Sequence, residues 1–378
     1  MRIFRIILGF HLEVFMKKII KISIIILISC LILIFIKNQY SFLLLRNSTY
    51  GMPHLIKKGE IRNLYIGSSM FRQGIDINVL EQTPDPDNYI LAYNGNQPAM
   101  EYYELKYLLD NNVRIQNVYV DMYVYTAWNA PELSDERILM EFGIADKKNI
   151  WTLINSDTFK NNPESFWRFW VSSNNELIIT WPICSPIINS QFYNGGTLTK
   201  TASASSQELI DSAAITISGT MNPIQEHYIK ELISLCQNHD INICFVETPK
   251  YQTAANDPSY LSAMQQYTQL LIDAQASCIL CENTWQFIGE PQQIFHYSFD
   301  NSDESYYMDT LHLSSHGRAD FTMSLLNQTL PNDRTTNESY SVFGSSDKKN
   351  FSPCREQATE FNQNLNFRKY RNLYSLVH

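Results

Sequence analysis

Apolar residues run almost unbroken from Ile22 to Ile36, with Ile19 and Ile20 extending the run around Lys21, and no later stretch of the chain repeats this length. At about 1.5 Å per residue, a helix over 19 to 37 reaches roughly 27 Å, close to the hydrocarbon thickness of a bilayer. The pattern predicts one membrane-spanning helix, with residues 1 to 18 on the cytoplasmic side and a linker over 38 to 59. The alternatives are a cleaved signal peptide or a lipobox-like group, Leu27, Ile28 and Ser29 before Cys30. The run continues past Cys30 to Ile36 with no small-x-small cleavage site, which favours an uncleaved anchor. Arg2, Arg5, Lys17, Lys18 and Lys21 precede the span, against Lys37, Arg46, Lys57 and Lys58 after it. The positive-inside bias thus sets the N-terminus inward by a narrow margin and the remaining chain outside. Met16 heads "MKKIIKIS", which resembles a bacterial start, so residues 1 to 15 have a second reading as sequence upstream of the true start.

Beyond the span the periodicity changes. Short β-rich runs occur at "NLYIG" (63 to 67), "NYILAYNG" (88 to 95), "NVYVDMYVY" (117 to 125), "INICFVETP" (241 to 249) and "SCILCEN" (277 to 283). Stretches with helical spacing lie between them at 97 to 112, 222 to 240 and 259 to 276, and proline near the start of the first two marks a helix entry. Strand and helix alternating in this way predict an α/β domain over 60 to 330, with a parallel sheet covered on both faces. Residues 130 to 221 break the rhythm with "ESFWRFW" and a Ser/Thr/Gly-rich passage, and read as an insertion packed beside the sheet as a cap or lid. The rings of Phe166, Trp167, Phe169 and Trp170 read as packing residues rather than a sugar platform. From 331 to 378 the chain becomes a polar tail that ends in the basic-aromatic piece "NFRKYRNLYSLVH".

Composition narrows the function classes. With 378 residues, 44% hydrophobic and 13% aromatic, the chain can build a substantial core. A net charge of -9, without a long Lys/Arg block beyond the N-terminal flank, argues against nucleic acid as a partner. Seven cysteines are an odd number for a disulfide framework, and the lone "CILC" at 278 to 281 has no second pair or matched histidines. No metal or cofactor is assigned, since no P-loop, dinucleotide fingerprint or metal set occurs.

The candidate chemistry lies where the first strand run stops, in "IRNLYIGSSMF". Gly-Ser-Ser recurs at Gly344, Ser345 and Ser346 in the polar tail, so the tripeptide has no meaning without the strand that feeds it. In open parallel sheets, sites form outside the carboxyl ends of strands, where Ser68 and Ser69 are expected. A serine hydroxyl is a weak nucleophile and needs a base, oriented in turn by a third group. Of eight histidines, His11, His54, His227, His239, His296 and His378 have no compelling carboxylate partner. His312 has Asp309 three residues before it, in a loop that opens the last helix, and theirs is the sequence's one D-x-x-H. His316, in "SSHG", reads as the first turn of that closing helix.

G-x-S after the first strand, "YNGNQP" after the second and "DTLHLSSHG" before the last helix together resemble the SGNH/GDSL hydrolase superfamily. The resemblance covers roughly 60 to 125 and 222 to 330. It implies a three-layer flavodoxin-like fold, with Ser69 as nucleophile, His312 as general base and then acid, and Asp309 orienting it. The backbone N–H groups of Ser69 and Gly95 would face the oxyanion, with Asn96 or Asn94 as side-chain donors. The chain departs from the family after the third strand, where an oxyanion-hole asparagine is usual and "VDMYVY" presents Asp121. A carboxylate there repels an oxyanion unless it is protonated or turned away.

The "GSS" form and the anchor are similar to the membrane-anchored branch that includes D-alanine transfer proteins and polysaccharide O-acyltransferases. The resemblance implies an extracytoplasmic serine acyl-ester hydrolase or O-acyltransferase at the cell membrane. Its implied partners are a cell-envelope polysaccharide or teichoic-acid-like acceptor and a membrane-bound acyl carrier or acyltransferase. The rival class is a catalytically inactive envelope protein on the same fold, binding glycan or scaffolding an assembly.

Overall fold

The computed structural model describes residues 15–36, 51–83, 86–132, 141–142, 144–153, 192–211, 216–291 and 294–326. Outside them lie the expected aromatic cluster at 166 to 170, most of the linker, the tail with the second Gly-Ser-Ser, and Cys184, Cys354, His11 and His378. The apolar run forms one helix, Phe15–Ile36, of 22 residues, starting four residues before the predicted span. Its large apolar side chains project away from the protein, as a lipid-facing helix requires, and its length and composition are consistent with a single membrane anchor.

The remaining elements form a mixed α/β domain around a six-stranded sheet. Its strands are β1 (Glu60–Gly67), β2 (Asn88–Ala92), β3 (Arg114–Asp121), β6 (Asn242–Val246), β7 (Ser277–Cys281) and β8 (Phe295–Tyr297). A separate antiparallel ribbon pairs β4 (Phe192–Tyr193) with β5 (Gly196–Thr197). The sheet order is β2-β1-β3-β6-β7-β8 and every neighbouring pair is parallel. The chain starts in the interior at β1, steps out to β2, then crosses back to β3. The order reverses between β1 and β3, the kind of position beside whose carboxyl ends open α/β sheets place their sites.

Strand residues alternate between two cores because successive side chains point to opposite faces. Leu64, Ile66, Val118, Val120, Phe245 and Leu280 pack with helices Pro98–Asp110, Pro223–Asn238 and Pro258–Asp273. Tyr65, Tyr119, Val246 and Ile279 pack on the other face with Phe71, Ile77, Phe321 and Leu325. The three helices of the first face each begin on a proline, whose missing N–H costs nothing in the first turn. Asn222 and Asp257 cap the second and third.

Two details differ from the sequence reading. The run expected over 117 to 125 stops as a strand at Asp121 and turns into a short helix, Val124–Ala127. The three-residue strand β8 had no recognisable hydrophobic run to announce it. Within the expected insertion, the backbone N–H of Ile90 donates to Asn194 O at 2.8 Å, so the β4–β5 ribbon covers the exposed edge of β2. Gly195 permits this approach: at φ 77°, a Cβ on it would stand 1.9 Å from Ile90 O.

Four asparagines pin the register. Asn63 donates from Nδ2 to Asn88 Oδ1 (3.1 Å), Asn117 to Asn63 Oδ1 (2.8 Å) and Asn242 to Asn117 Oδ1 (2.9 Å). They are direct cross-strand partners on β2, β1, β3 and β6, forming an amide ladder near the amino ends of four adjacent strands. Replacing Asn63 breaks two rungs and leaves the buried amide of Asn88 and the half-buried amide of Asn117 underbonded, a loss of about 1–3 kcal/mol by the usual cost of unmade hydrogen bonds. Asn63→Ala should therefore lower the urea midpoint of unfolding at unchanged slope; an unshifted midpoint would mean the ladder contributes nothing.

Candidate functional site

β1 ends at Gly67 and the chain turns at once into a short helix, Ser69–Gly74, with Ser68 as its N-cap. Ser68 is completely buried, and its Oγ accepts the Met70 N–H at 3.1 Å while donating to Asp121 Oδ2 at 2.5 Å. The Ser68 N–H donates to the same oxygen at 3.3 Å. Ser68 is thereby committed on every side to building the turn. Ser69 is only partly buried and opens the helix.

Ser69 Oγ lies 2.9 Å from His312 Nε2. His312 Nδ1 lies 2.9 Å from Asp309 Oδ2 and 3.0 Å from Oδ1. With Nδ1–H donating to the carboxylate, the Nε2 lone pair faces the serine hydroxyl. The three-residue spacing works because Asp309 Oδ1 also accepts the backbone N–H groups of Leu311 and His312, both at 2.8 Å. One carboxylate both shapes the turn and orients the ring carried by it. Burial alone would raise the Asp309 carboxyl, but the hydrogen bond and charge of His312, with the two backbone donors, hold it below its ordinary value.

The turn is fastened to the sheet. Met308 N–H donates to His312 O (3.0 Å), Tyr307 bridges Leu313, and Tyr251 N–H, just beyond β6, donates to Thr310 O (3.0 Å). His316 sits in the first turn of helix Ser315–Leu326, exposed and facing Ser305 and Asp320, so His312 is the histidine that meets Ser69.

The remaining expected residues lie on the turn after β2. Tyr93 N–H donates to Gly67 O at 3.0 Å, tying this turn to the end of β1, and Gly95 adopts a left-handed φ of 61°. The Asn96 side chain departs from its expected role: it is buried, and its Nδ2 donates to both oxygens of Glu104 at 3.1 and 3.2 Å. A buried carboxylate needs donors, and Glu104 takes the amide that an oxyanion would have used.

Asp121, at the end of β3, is the residue the sequence marked as a departure, whereas Glu247 and Lys250 beyond β6 escaped the sequence reading. Asp121 is 2% exposed, with Oδ1 lacking a hydrogen-bond partner among the described residues. Burial pushes its carboxyl up to about 6, against the opposing pull of the Ser68 hydrogen bonds, Lys250 and His312. Beyond β6, Glu247 accepts from Tyr260 Oη (2.6 Å), Thr284 Oγ1 (2.8 Å) and Cys281 N–H (2.9 Å). Lys250 is fully buried, donates to Thr248 O at 2.9 Å and lies 5.0 Å from the centroid of the Tyr260 ring. Burial lowers the Lys250 ammonium while Glu247 and Asp121 oppose it. The available signal was a charged residue set directly behind an apolar run, as in "VYVD" and "CFVETPK".

Together these groups make a hydroxyl with a base in contact, an oriented base, and a buried polar floor. In comparisons with known proteins, no family model matches the chain and no curated protein sequence matches it.

Gly67 makes the geometry possible, since a Cβ on it would stand 2.5 Å from Asp121 Cβ and 3.3 Å from Phe71. Gly67→Ala is expected to destabilise the fold by about 1–3 kcal/mol, the range for overpacking a tight contact. Denaturant unfolding would read this as a lower midpoint. Full stability in the alanine variant would show that β1 and β3 can part at no cost.

Proposed function

We propose that the chain is a membrane-anchored serine acyl-ester enzyme of the SGNH type, working outside the cytoplasm on a cell-envelope polymer through an acyl-Ser69 intermediate. The single observation that carries the reading is the hydrogen-bonded line from Ser69 Oγ through His312 to Asp309. Supporting it are the sheet order, which reverses beside Ser69 as in a flavodoxin-like three-layer domain, and the apolar helix that precedes it.

In this reading Ser69 Oγ attacks the acyl carbonyl carbon as its proton passes to His312 Nε2, and the carbonyl π electrons move onto oxygen. The oxyanion is met by the N–H groups of Ser69 and Gly95. Collapse re-forms the carbonyl and expels the alcohol, which takes the proton from Nε2. An incoming hydroxyl then gives its proton to Nε2 and attacks acyl-Ser69, and the second collapse returns that proton to Ser69. Water as acceptor gives hydrolysis, and a polymer hydroxyl gives transfer. A membrane-bound acyl donor or partner enzyme would supply the first ester, and a polysaccharide or teichoic-acid-like chain would be the acceptor.

Detergent-solubilised full-length protein should react covalently with a fluorophosphonate at Ser69. Ser69→Ala should abolish labelling, and His312→Ala should slow it by about 10³-fold or more, the scale of losing a triad base. Ser68→Ala should still label. No labelling of the wild-type protein at any pH, or its loss only in Ser68→Ala, would defeat the reading and favour a non-catalytic envelope protein.

A further inference from the structure

Two carboxyl groups at the carboxyl edge of the sheet face one buried ammonium. Asp121 ends β3, Glu247 follows β6, and Lys250 interacts electrostatically with both. If all three were ionised, the pocket would hold a net negative charge with little water to screen it, which a protein interior resists. One carboxyl must therefore take a proton readily, and the hydrogen bonds decide which. Glu247 receives three donors on its two oxygens, all suited to a carboxylate. Asp121 receives donors only from Ser68, both on Oδ2, and its buried Oδ1 has no partner among the described residues. The bare oxygen is where a proton costs least.

The surroundings of Asp121 act in both directions. Lys250 and His312 favour its charged form, and burial opposes them. Glu101, buried on helix Pro98–Asp110 with its own Oε2 unpartnered among the described residues, is held well above the usual carboxylate range, by burial first and then by Asp121 and Glu104, while Tyr123 and Tyr267 add neutral hydroxyls. The group is thus poised, and its state bears on Ser69 because Asp121 holds the adjacent residue, Ser68, by two hydrogen bonds.

We propose that Asp121 is a proton-operated positioning residue: protonated on Oδ1 it lets Ser69 react, and ionised it shuts the serine down. The proposal rests on Ser69 being the nucleophile. Attack by Ser69 puts a negative charge on the substrate oxygen next to the Ser69 N–H. A carboxylate one residue away in a poorly screened site repels that charge, whereas the neutral acid leaves it to the donors. The proton exchanges with solvent as pH changes and no bond of the substrate involves Asp121. The consequence is an enzyme favoured by a mildly acidic envelope surface.

The test is the pH profile of fluorophosphonate labelling of the full-length protein, expressed as the rate ratio of Asp121→Asn to wild type. Asparagine keeps the acceptor for Ser68 and cannot ionise. The ratio should be flat in acid and rise by about tenfold per pH unit once the pH exceeds about 6. Ser68→Ala removes hydrogen bonding that favours the carboxylate, so in that variant the fall in labelling should move to higher pH. A readout independent of activity is the infrared carbonyl band of a protonated carboxyl in wild-type protein, present in acid and lost as the pH rises through about 6. Stability gives the matching sign. With a raised folded-state value, the contribution of Asp121 is full below its unfolded value of about 4 and is lost as pH rises from there through about 6, so the melting temperature of Asp121→Asn should gain on that of wild type across this interval and hold a constant lead above it. A pH-independent ratio, or a wild type without the protonated band, overturns the proposal. Absence of labelling in wild type overturns the role of Ser69 and the gating with it, while the infrared band still reports the proton.

Discussion

The structure depends on how closely the ends of β1 and β3 can approach. Gly67 has no side chain, and the space it leaves is filled by the Asp121 side chain, whose carboxyl then reaches the Ser68 hydroxyl and N–H. That contact fixes Ser68 as a helix cap, the cap fixes the first turn of Ser69–Gly74, and the first turn aims Ser69. A larger residue at 67 would lever the two strands apart at the point where the strand order reverses. The glycine of "YIGSS" is therefore a packing requirement before it is a motif.

Ser69 and His312 are 243 positions apart, and neither could hold the other in place. Each is positioned by the sheet through a different strand. The serine comes from β1 through Ser68, and the histidine loop is tied to the segment beyond β6 by Tyr251. Because β1, β3 and β6 are consecutive in the sheet, their parallel pairing carries both halves of the site to one edge. Registry at the amino ends of those strands is held by the asparagine ladder, which lies far along the strands from the hydroxyl whose position it helps to define.

The strand runs, the three long helices and the pairing of Asp309 with His312 were legible in the sequence, because periodicity and short-range turn geometry are local properties. The D-x-x-H spacing could be read as a ring and a carboxylate brought together by one turn, and the turn does so with the help of two backbone N–H groups. What was not legible is non-local. The partner of Ser68, the commitment of Asn96 to Glu104 and the sharing of Lys250 depend on which strands become neighbours. Asp121 stood out in the sequence as a carboxylate in the third strand run. Its orientation toward Ser68 and its bare second oxygen could be found only once β1 and β3 were side by side.

The two ends of the sheet treat polar groups differently. At the amino end, every amide of the ladder that faces a neighbouring strand is matched across it, which adds stability and specifies register. At the carboxyl end, Asn96 Oδ1, Gln97 Nε2, Glu101 Oε2, Asp121 Oδ1 and Thr248 Oγ1 are buried without partners among the described residues. Each such atom costs free energy, on the order of 1–3 kcal/mol, so a sequence selected for stability alone would have paired or removed them. These five lie from the turn after β2 and the helix it opens to the ends of β3 and β6, as expected if that edge is shaped for its electrostatic field. The ladder and the orphaned atoms then have a common logic: register is secured at one end of the strands so that the other can tolerate polar groups left unsatisfied.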